Sequence, residues 1–379
     1  MARYKLSEVV MRIKDKVDKD NTELEYYIGG EHFDNGEICI TKRGIIKEST
    51  IGPAFHMRFK PGDVLLMSRN PHLRKAGVVD FEGICSDVSY VCRTRDENVL
   101  MQRFLPFIFQ TDAFWKFAEE NKGGSTNFFL NWSDFERYEF ALPSIEEQRQ
   151  LTEILWAAQN AKLAYKELLR QTDELVKSQF IELFGDIPAE DYKSLSDVCK
   201  IITDGTHQPP KFVDKGIPFL LVSNITSNAI TYDTPKYITK ETYDVLMKRT
   251  PVEIGDILLS TVGSYGHPAI VKDTTPFSFQ RHIAYLKPDS SIINSVYLHT
   301  AILSEDVQNQ IEVMVLGVAQ KTLNLSSIRG IKIPVPSLAR QLSFNLFVEQ
   351  TDKSKFEIKK AIENTSALIK SLMQQDLTN

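Results

Sequence analysis

The sequence repeats itself at a constant offset of 193 residues. The segment GDVLL at 62–66 returns as GDILL at 255–259, and the pair Pro143-Ser144 returns as the pair at 336–337. An offset that stays constant over most of a chain is the signature of a duplicated structural unit. We therefore predict two copies of one unit, each consisting of a globular part followed by a long helix.

The end of each copy has the hydrophobic spacing of a long helix. In the first copy, apolar or small residues recur at alternating steps of three and four, which is the seam of a heptad repeat: Leu151, Ile154, Ala158, Ala161, Tyr165, Leu168, Thr172 and Leu175. The same register continues in the second copy at Phe344, Phe347, Thr351, Ser354, Ile358, Ala361, Thr365 and Leu368. One such stripe is typical of an ordinary helix that faces a core. Two matching stripes favour an antiparallel pair.

The globular parts are predicted to mix helices and strands, because short strand-like runs bounded by Gly, Pro or Asp stand before one helical stretch in each copy. Ser144 and Glu147 have the spacing of a capping box, which marks the start of the first long helix. The expected fold class is α+β: two pseudo-symmetric domains of mixed helix and strand, joined and followed by long helices that pack as an antiparallel coiled coil. The expected boundaries are 1–143, 144–186, 187–336 and 337–379.

Several classes of protein are disfavoured by what the sequence lacks. No segment has the length of a secretory signal or of a membrane span, so we expect a soluble, cytoplasmic protein. The four cysteines have neither CxxC spacing nor a histidine at zinc-finger distance, so no metal site or disulfide is predicted. A P-loop and the glycine-rich and Asn/Asp-Pro-Pro motifs of a DNA methyltransferase are also missing. We therefore predict a non-catalytic chain with no cofactor of its own.

The net charge of -5, from 45 basic and 50 acidic residues, at first disfavours a nucleic-acid partner. The distribution of charge changes that interpretation, because residues 58–75 hold one acid, Asp63, among five basic side chains. Arginine, asparagine and histidine in an exposed loop can bind phosphates and base edges, and an ordinary solvated loop is the alternative. The candidate DNA-binding residues of the first copy are Arg58, Lys60, Arg69, Asn70, His72, Arg74 and Lys75.

The second copy has polar, turn-rich segments at 204–211 and 261–268, and the latter follows its GDILL strand as the basic window follows GDVLL. Equivalent loops on two equivalent domains suggest a reader of a two-part DNA site. Gly263 to Gly266 has GxxG spacing, which is a weak signal for phosphate binding and fits a simple turn as well. The candidate DNA-binding residues of the second copy are Thr206, His207, Gln208, Lys211, Thr261, Ser264, Tyr265, His267 and Lys321.

The chain resembles the specificity (S) subunit of type I restriction-modification systems. The resemblance lies in the segments at 202–226, 255–271 and 333–341 and in their first-copy versions at 27–32, 62–70 and 142–151. It implies two target recognition domains, each reading half of a bipartite DNA sequence, and helices that separate them and dock two methyltransferase subunits. We expect the length of these helices to set the spacing of the half-sites. Restriction subunits can join such a complex. S-adenosylmethionine, ATP and Mg²⁺ would then be bound by the partner chains.

The first copy departs from the family pattern because it has no equivalent of the Asp204-Gly205-Thr206-His207 segment. Two alternatives to DNA reading are also open. One is a repeat-built adaptor that joins proteins without reading DNA, and the other is a stand-alone DNA-modifying enzyme. Because both domains are nearly neutral, we expect the isolated chain to bind DNA weakly and in a salt-sensitive way.

Overall fold

The computed structural model describes residues 2–125, 128–317 and 321–377. The chain forms two compact units, one made of Met1–Glu167 with Ile358–Asn379 and the other of Leu168–Glu357. Both units mix helices and strands, and each takes part of both long helices. The predicted fold class is confirmed.

The first copy contains ten strands, four short helices and a long helix. In chain order these are β1 (Ala2–Lys5), α1 (Leu6–Val9), β2 (Val10–Ile13), β3 (Tyr26–Ile28), β4 (Gly44–Ile45), β5 (Phe55–Phe59), β6 (Val64–Met67), β7 (Ala76–Val78), β8 (Gly83–Ser86), β9 (Ser89–Thr94), α2 (Leu105–Ile108), α3 (Asp112–Glu120), α4 (Trp132–Phe135), β10 (Glu139–Leu142) and α5 (Ile145–Phe184) among the described residues.

The described part of the second copy follows the same order, except that helix α7 stands in the place of strand β5. Its elements are β11 (Tyr192–Ser194), α6 (Leu195–Val198), β12 (Cys199–Asp204), β13 (Ile217–Leu220), β14 (Tyr237–Ile238), α7 (Lys240–Leu246), β15 (Ile257–Ser260), β16 (Pro268–Ile270), β17 (Ser278–Phe279), β18 (Ile283–Pro288), α8 (Ser295–Leu303), α9 (Glu305–Met314), α10 (Leu325–Gly330), β19 (Lys332–Pro334) and α11 (Leu338–Leu377).

The sheets of the two copies have corresponding strand orders. The first copy has a four-stranded sheet of order β2-β9-β6-β7, and the second has one of order β12-β18-β15-β16. A further sheet contains a parallel pair in each copy, β3 with β8 and β13 with β17. The additional strand β5 extends this sheet in the first copy. A two-stranded ribbon, β1-β10 or β11-β19, completes each copy.

Each unit has a large apolar core between its four-stranded sheet and its helices. In the first unit, Val64 and Leu66 of β6 point to the same face of the sheet and pack with Phe104 and Trp115. In the second unit, Ile257 and Leu259 of β15 take the same positions. Alternate residues of both strands, Leu65 and Leu258 among them, face a second, smaller core. The central strands are therefore buried on both sides.

The two long helices, each of 40 residues, pair in opposite directions. In the first unit, Leu155 near the start of α5 shares a core with Ile369 near the end of α11. In the second unit, Phe180 near the end of α5 meets Phe344 near the start of α11, with ring centroids 5.7 Å apart. Contacts in this reversed order define an antiparallel pair, as predicted.

The start of α5 is capped as the sequence predicts. The Ser144 backbone N–H donates to the Glu147 carboxylate over 2.7 Å, and the Glu147 N–H donates to the Ser144 hydroxyl over 3.4 Å. These bonds satisfy donors that a helix start otherwise leaves unpaired. The helix begins at Ile145, directly after the capping serine.

The predicted seam of α5 is wrong in register. Ile154, Leu168 and Leu175 were expected in the helix interface, but their exposed fractions are 51%, 46% and 52%. The buried stripe lies one position away and consists of Gln148, Thr152, Leu155, Gln159, Val176 and Phe180. Half of these side chains are polar, so the spacing of apolar residues does not reveal the stripe.

Candidate nucleic-acid interface

A polar loop leaves the central strand at the same place in each copy. The turn before the strand has a glycine in the left-handed region, with φ of +88° at Gly62 and +93° at Gly255. The following aspartate is buried and accepts a backbone N–H three residues upstream over 2.8 Å, at Asp63 and at Asp256. The same turn therefore leads into β6 and into β15. We call the residues that follow these strands, 68–75 and 261–268, the polar loops.

Each polar loop is bonded to a second segment, which contains an antiparallel bridge. In the first copy, Gly123 and Phe129 exchange backbone hydrogen bonds of 2.8 and 3.0 Å. In the second copy, Leu316 and Thr322 do the same over 3.0 and 2.8 Å. We call the residues at 122–125 with 128–129, and those at 315–317 with 321–322, the bridged segments.

The bonds between loop and bridged segment are also the same in both copies. The Asn70 N–H donates to the Phe128 carbonyl over 2.9 Å, and the Gly263 N–H donates to the Lys321 carbonyl over 3.2 Å. Of this partner segment, only Lys321 was predicted from the sequence. The signal that could have located it is the repeated Leu-Asn pair directly after it, at 130–131 and 323–324.

The first polar loop has a strained backbone for its sequence. Asn70 and Arg74 both have φ of +50°, around a single 3₁₀ turn at Pro71–Leu73. Asparagine tolerates this region, whereas arginine adopts it only when its surroundings impose it. In the second loop, the positions with positive φ are Gly263 and Gly266.

The basic window of the first copy is partly neutralised by its own fold. Arg58 pairs with Glu82 at 3.1 Å, and Arg74 pairs with Asp112 at 2.5 Å. The hydrogen bond from Arg74 is the main cause that lowers the pKa of Asp112, and it outweighs the opposing effect of partial burial. The Lys75 ammonium donates to the Gly30 carbonyl over 2.7 Å.

Other predicted residues of the first copy are open to solvent. Arg69 is exposed and its guanidinium stands 5.7 Å from the centre of the Phe129 ring, while Lys60 and His72 are exposed and Asn70 is half-buried. The polar loop therefore brings Arg69, Asn70 and His72 together. Arg58 and Lys60 lie outside it, on or next to β5.

The Asp204 to Lys211 segment of the second copy is organised around one carboxylate. Asp204 contacts His207 at 2.8 Å and Arg249 at 2.5 Å, and the Thr206 hydroxyl donates to the Gln208 carbonyl over 2.9 Å. His207, Gln208 and Lys211 are exposed. The Thr206 backbone donates a hydrogen bond to the Phe279 carbonyl and accepts one from the Arg281 N–H, so the beginning of this segment is held next to β17.

The second polar loop places its predicted residues in different environments. Ser264 is exposed, and the His267 ring lies 3.1 Å from the Asn228 amide oxygen. Thr261 is 5% exposed, and its backbone carbonyl accepts from the Leu323 N–H directly after the bridged segment over 2.8 Å. Tyr265 and Lys321 both contact Glu312, an acid that the sequence analysis did not consider.

Cys85 and Cys92 are buried, and Cys39 and Cys199 are half-buried. Burial raises the pKa of Cys85 and of Cys199 to about 12, and it also raises the pKa of Cys39 and of Cys92. Protonated thiols are poor nucleophiles and poor metal ligands. Among the residues that the structure describes, no group of three or more His, Cys, Asp or Glu side chains could hold a metal ion, and no helix is apolar enough over a sufficient length to cross a membrane.

Comparisons of sequence agree on one family. Residues 190–365 match the family described as type I restriction modification DNA specificity domain. A type I restriction enzyme EcoBI specificity subunit from Escherichia coli is 30% identical over 173 residues, which are 46% of this chain and 36% of that protein. The MjaVIII specificity subunit from Methanocaldococcus jannaschii is 23% identical over 256 residues, 60% of each chain. The chain thus aligns with about a third to three fifths of the length of these curated relatives.

Comparisons of structure cover nearly the whole chain. The crystal structure of a type I restriction-modification S subunit from M. genitalium has a TM-score of 0.54 and 14% identity, over 98% of this chain and 95% of that one. A chain from a study of complex assembly and conformational transition in a type I restriction-modification system has a TM-score of 0.53 and 17% identity, over 99% and 97%. At these identities the likeness shows the fold. The resemblance to type I specificity subunits is confirmed by the match of residues 190–365 to the type I restriction modification DNA specificity domain.

Proposed function

We propose that this chain is the DNA sequence-specificity subunit of a type I restriction-modification complex. The observation that carries the proposal is the matched pair of polar loops, each framed by the same backbone bonds to a bridged segment. Two copies of one frame with different side chains are suited to reading two different half-sites of a bipartite sequence, because base edges are distinguished by side-chain donors and acceptors. Residues 1–143 and 187–336 are the target recognition domains in this proposal.

The long helices have a separate role in the proposal. They set the spacing between the half-sites and dock two methyltransferase subunits. A helix of 40 residues has a length of about 60 Å, which exceeds the 34–36 Å of one turn of B-DNA. Exposed apolar side chains on α5 and α11, such as Ile154, Leu175 and Leu346, give these helices surface for protein partners.

The chemistry belongs to the partner chains. We infer that this chain recognises DNA and does not catalyse, and that S-adenosylmethionine, ATP and Mg²⁺ are bound by methyltransferase and restriction subunits. Arg58 and Arg74 are each paired with an acid of this chain, Glu82 and Asp112. This pairing supports weak DNA binding by the isolated chain, because an arginine that is already paired releases few counterions from DNA.

The test is to map methylated bases across the genome in cells with and without the chain, with the methyltransferase partner present in both. The expected result is a two-part motif with a fixed spacer that appears only with the chain. A motif that persists without the chain would contradict the proposal and favour a protein adaptor. Methyl transfer by the purified chain with S-adenosylmethionine alone would favour a stand-alone enzyme.

A further inference from the structure

Two glutamates occupy equivalent positions beside the candidate interface. Glu119 and Glu312 are separated by the 193-residue offset and lie at the C-terminal ends of the equivalent helices α3 and α9. Each of them binds a lysine of the adjacent bridged segment, Lys122 or Lys321. The lysines themselves are not at equivalent positions, so the shared feature is the acid and the kind of partner it holds.

In the second copy, the acid holds two predicted DNA-binding residues at once. Glu312 contacts the Lys321 ammonium at 2.5 Å and accepts a hydrogen bond from the Tyr265 hydroxyl. The ammonium also lies 3.2 Å from the Tyr265 hydroxyl and 5.7 Å from the centre of the ring. The side chains of Lys321 and Glu312 are about half exposed, so the whole cluster is within reach of a ligand in solvent.

In the first copy, the pair is less exposed and the lysine lies closer to an aromatic ring. Glu119 contacts the Lys122 ammonium at 2.7 Å, and that ammonium lies 4.2 Å from the centre of the Phe128 ring. Phe128 is the residue whose carbonyl accepts the polar-loop hydrogen bond from Asn70. The paired lysine is thus attached to the same frame that presents Arg69 and Asn70.

A carboxylate that binds a lysine ammonium takes the place that a DNA phosphate oxygen would otherwise fill, because both are anionic oxygen acceptors. Such a pair is weak when it is exposed, as Glu312 and Lys321 are, so a well-placed phosphate can displace the carboxylate. A phosphate held at random by a non-target duplex gains less from the exchange, because no neighbouring base contacts support it.

We propose that Glu119 and Glu312 are specificity-determining residues that hold Lys122 and Lys321 away from phosphates until the correct half-site is bound. This inference rests on the proposed function. In a complex with non-target DNA the lysines stay paired with the glutamates. In the complex with the target they exchange the carboxylate for a phosphate, so each copy adds one phosphate contact only when its half-site fits.

The experiment measures binding of the full chain to a random-sequence duplex over a series of salt concentrations. Glu312→Gln keeps an oxygen acceptor but removes the charge that holds Lys321. We expect about two- to fivefold tighter binding to the random duplex, and a plot of log affinity against log salt that is steeper by about 0.9, the value for one added phosphate contact. Glu119→Gln is expected to act in the same way through Lys122.

Two further variants make the result specific. Glu305→Gln removes one charge from the start of the same helix, about 10 Å from Glu312 along its axis, and should leave the salt dependence as in the wild type. The double variant Glu312→Gln with Lys321→Gln should return to the wild-type slope. Circular dichroism and thermal melting of each variant establish that it is folded.

The inference is overturned if Glu312→Gln has the wild-type slope, or if the double variant remains as steep as the single one. A Glu312→Gln variant that does not fold leaves Glu119→Gln to decide between the same two results. Failure of the proposed function looks different. A wild-type chain that binds no duplex at any salt concentration would overturn the inference alone, whereas the proposed function fails if the methylated motif persists without the chain.

Discussion

Gln148 and Gln341 are fully buried at equivalent positions and make the same three backbone hydrogen bonds. Gln148 accepts from the N–H of Met101 and donates to two carbonyls, at residues 99 and 143. Gln341 accepts from the N–H of Asn294 and donates to the carbonyls at residues 292 and 336. Every partner is offset by 193 as well. Each glutamine therefore fixes the first turn of its long helix to the globular part before it.

Replacing this amide is expected to destabilise the protein strongly. Gln341→Leu removes all three bonds and leaves the Asn294 N–H without an acceptor, which we expect to lower the free energy of unfolding by about 2–4 kcal/mol. Urea unfolding followed by circular dichroism measures the change. Gln350→Leu, at an exposed position of the same helix, is the control and should cost less than about 0.5 kcal/mol. Equal effects would mean that the buried bonds contribute nothing.

The left-handed turn before the first polar loop predicts a difference between two glycines. Gly62 has φ of +88°, whereas Gly52 is not in the left-handed region, and a side chain would meet no atom within 4 Å at either position. Gly62→Ala should therefore cost about 1 kcal/mol from backbone strain alone, while Gly52→Ala should be neutral or slightly stabilising. Thermal melting of the two variants tests this. Equal melting temperatures would contradict the role of the turn.

His299 makes stability depend on pH. Burial lowers its pKa below the ordinary 6.5, and its Nε2 atom lies 3.1 Å from the carbonyl oxygen of Pro268. Because the unfolded chain then binds a proton more readily than the folded chain, the stabilisation is complete above pH 6.5 and is lost as the pH falls below it. Burial lowers the pKa of His282 too, which acts in the same direction.

His299→Gln removes the titrating group at this position but keeps a neutral donor. The wild type should lose up to about 1.4 kcal/mol per pH unit more than the variant as the pH falls below 6.5. Unfolding free energies measured at about pH 7.5 and about pH 5.5 give the difference. Parallel losses in both proteins would show that this histidine is not the group responsible.

Charge reversal in one copy should affect one half-site. Arg69 and Lys211 are exposed and lie in different copies, so Arg69→Glu and Lys211→Glu should each weaken modification on the order of tenfold through a different half of the target. Methylation assays with targets altered in one half at a time distinguish them. Arg149→Glu on the exposed side of α5 is the control. Unchanged modification in both variants, with complex assembly intact, would favour an adaptor.

Lengthening the helices should change the spacer and leave the half-sites as they are. Insertion of seven residues, about two turns, after Tyr165 needs a matching insertion after Ile358 to preserve the antiparallel pairing. The added 10 Å corresponds to about three base pairs of B-DNA. Sequencing of methylated sites gives the new motif, and altered bases in the half-sites would contradict the proposed role of the helices.

The features that recur along the chain were predictable from sequence. The offset of 193 located the two copies, and the capping pair Ser144 and Glu147 fixed the start of α5 to within one residue. The register of its buried face was not predictable, because that face includes Gln148 and Gln159. The spacing of hydrophobic residues does not indicate a buried amide, because the hydrogen-bond partners of that amide lie far away in sequence.

The interface was only partly predictable for a related reason. Arg69 and His72 are exposed in the polar loop, and their contact with DNA stays a prediction. The acids that pair with the other candidates come from distant positions, Asp112 for Arg74 and Glu312 for Tyr265. A count of charges within a short window of sequence does not include these acids. The fold nevertheless places each of them next to one of the candidate residues.

The first unit is built from two separate stretches of the chain, which affects the order in which the units are completed during synthesis. Ile369 and Met373 are buried in the core that contains Leu155, although more than 200 residues separate them in the chain. The second unit is one continuous stretch, Leu168–Glu357, and has all its residues earlier. Domains generally fold from the N-terminus onward as the ribosome proceeds. The core of the first unit is complete only when the last turns of α11 have emerged, so a chain that ends before Ile369 leaves that part of the core uncovered while all residues of the second unit are already present.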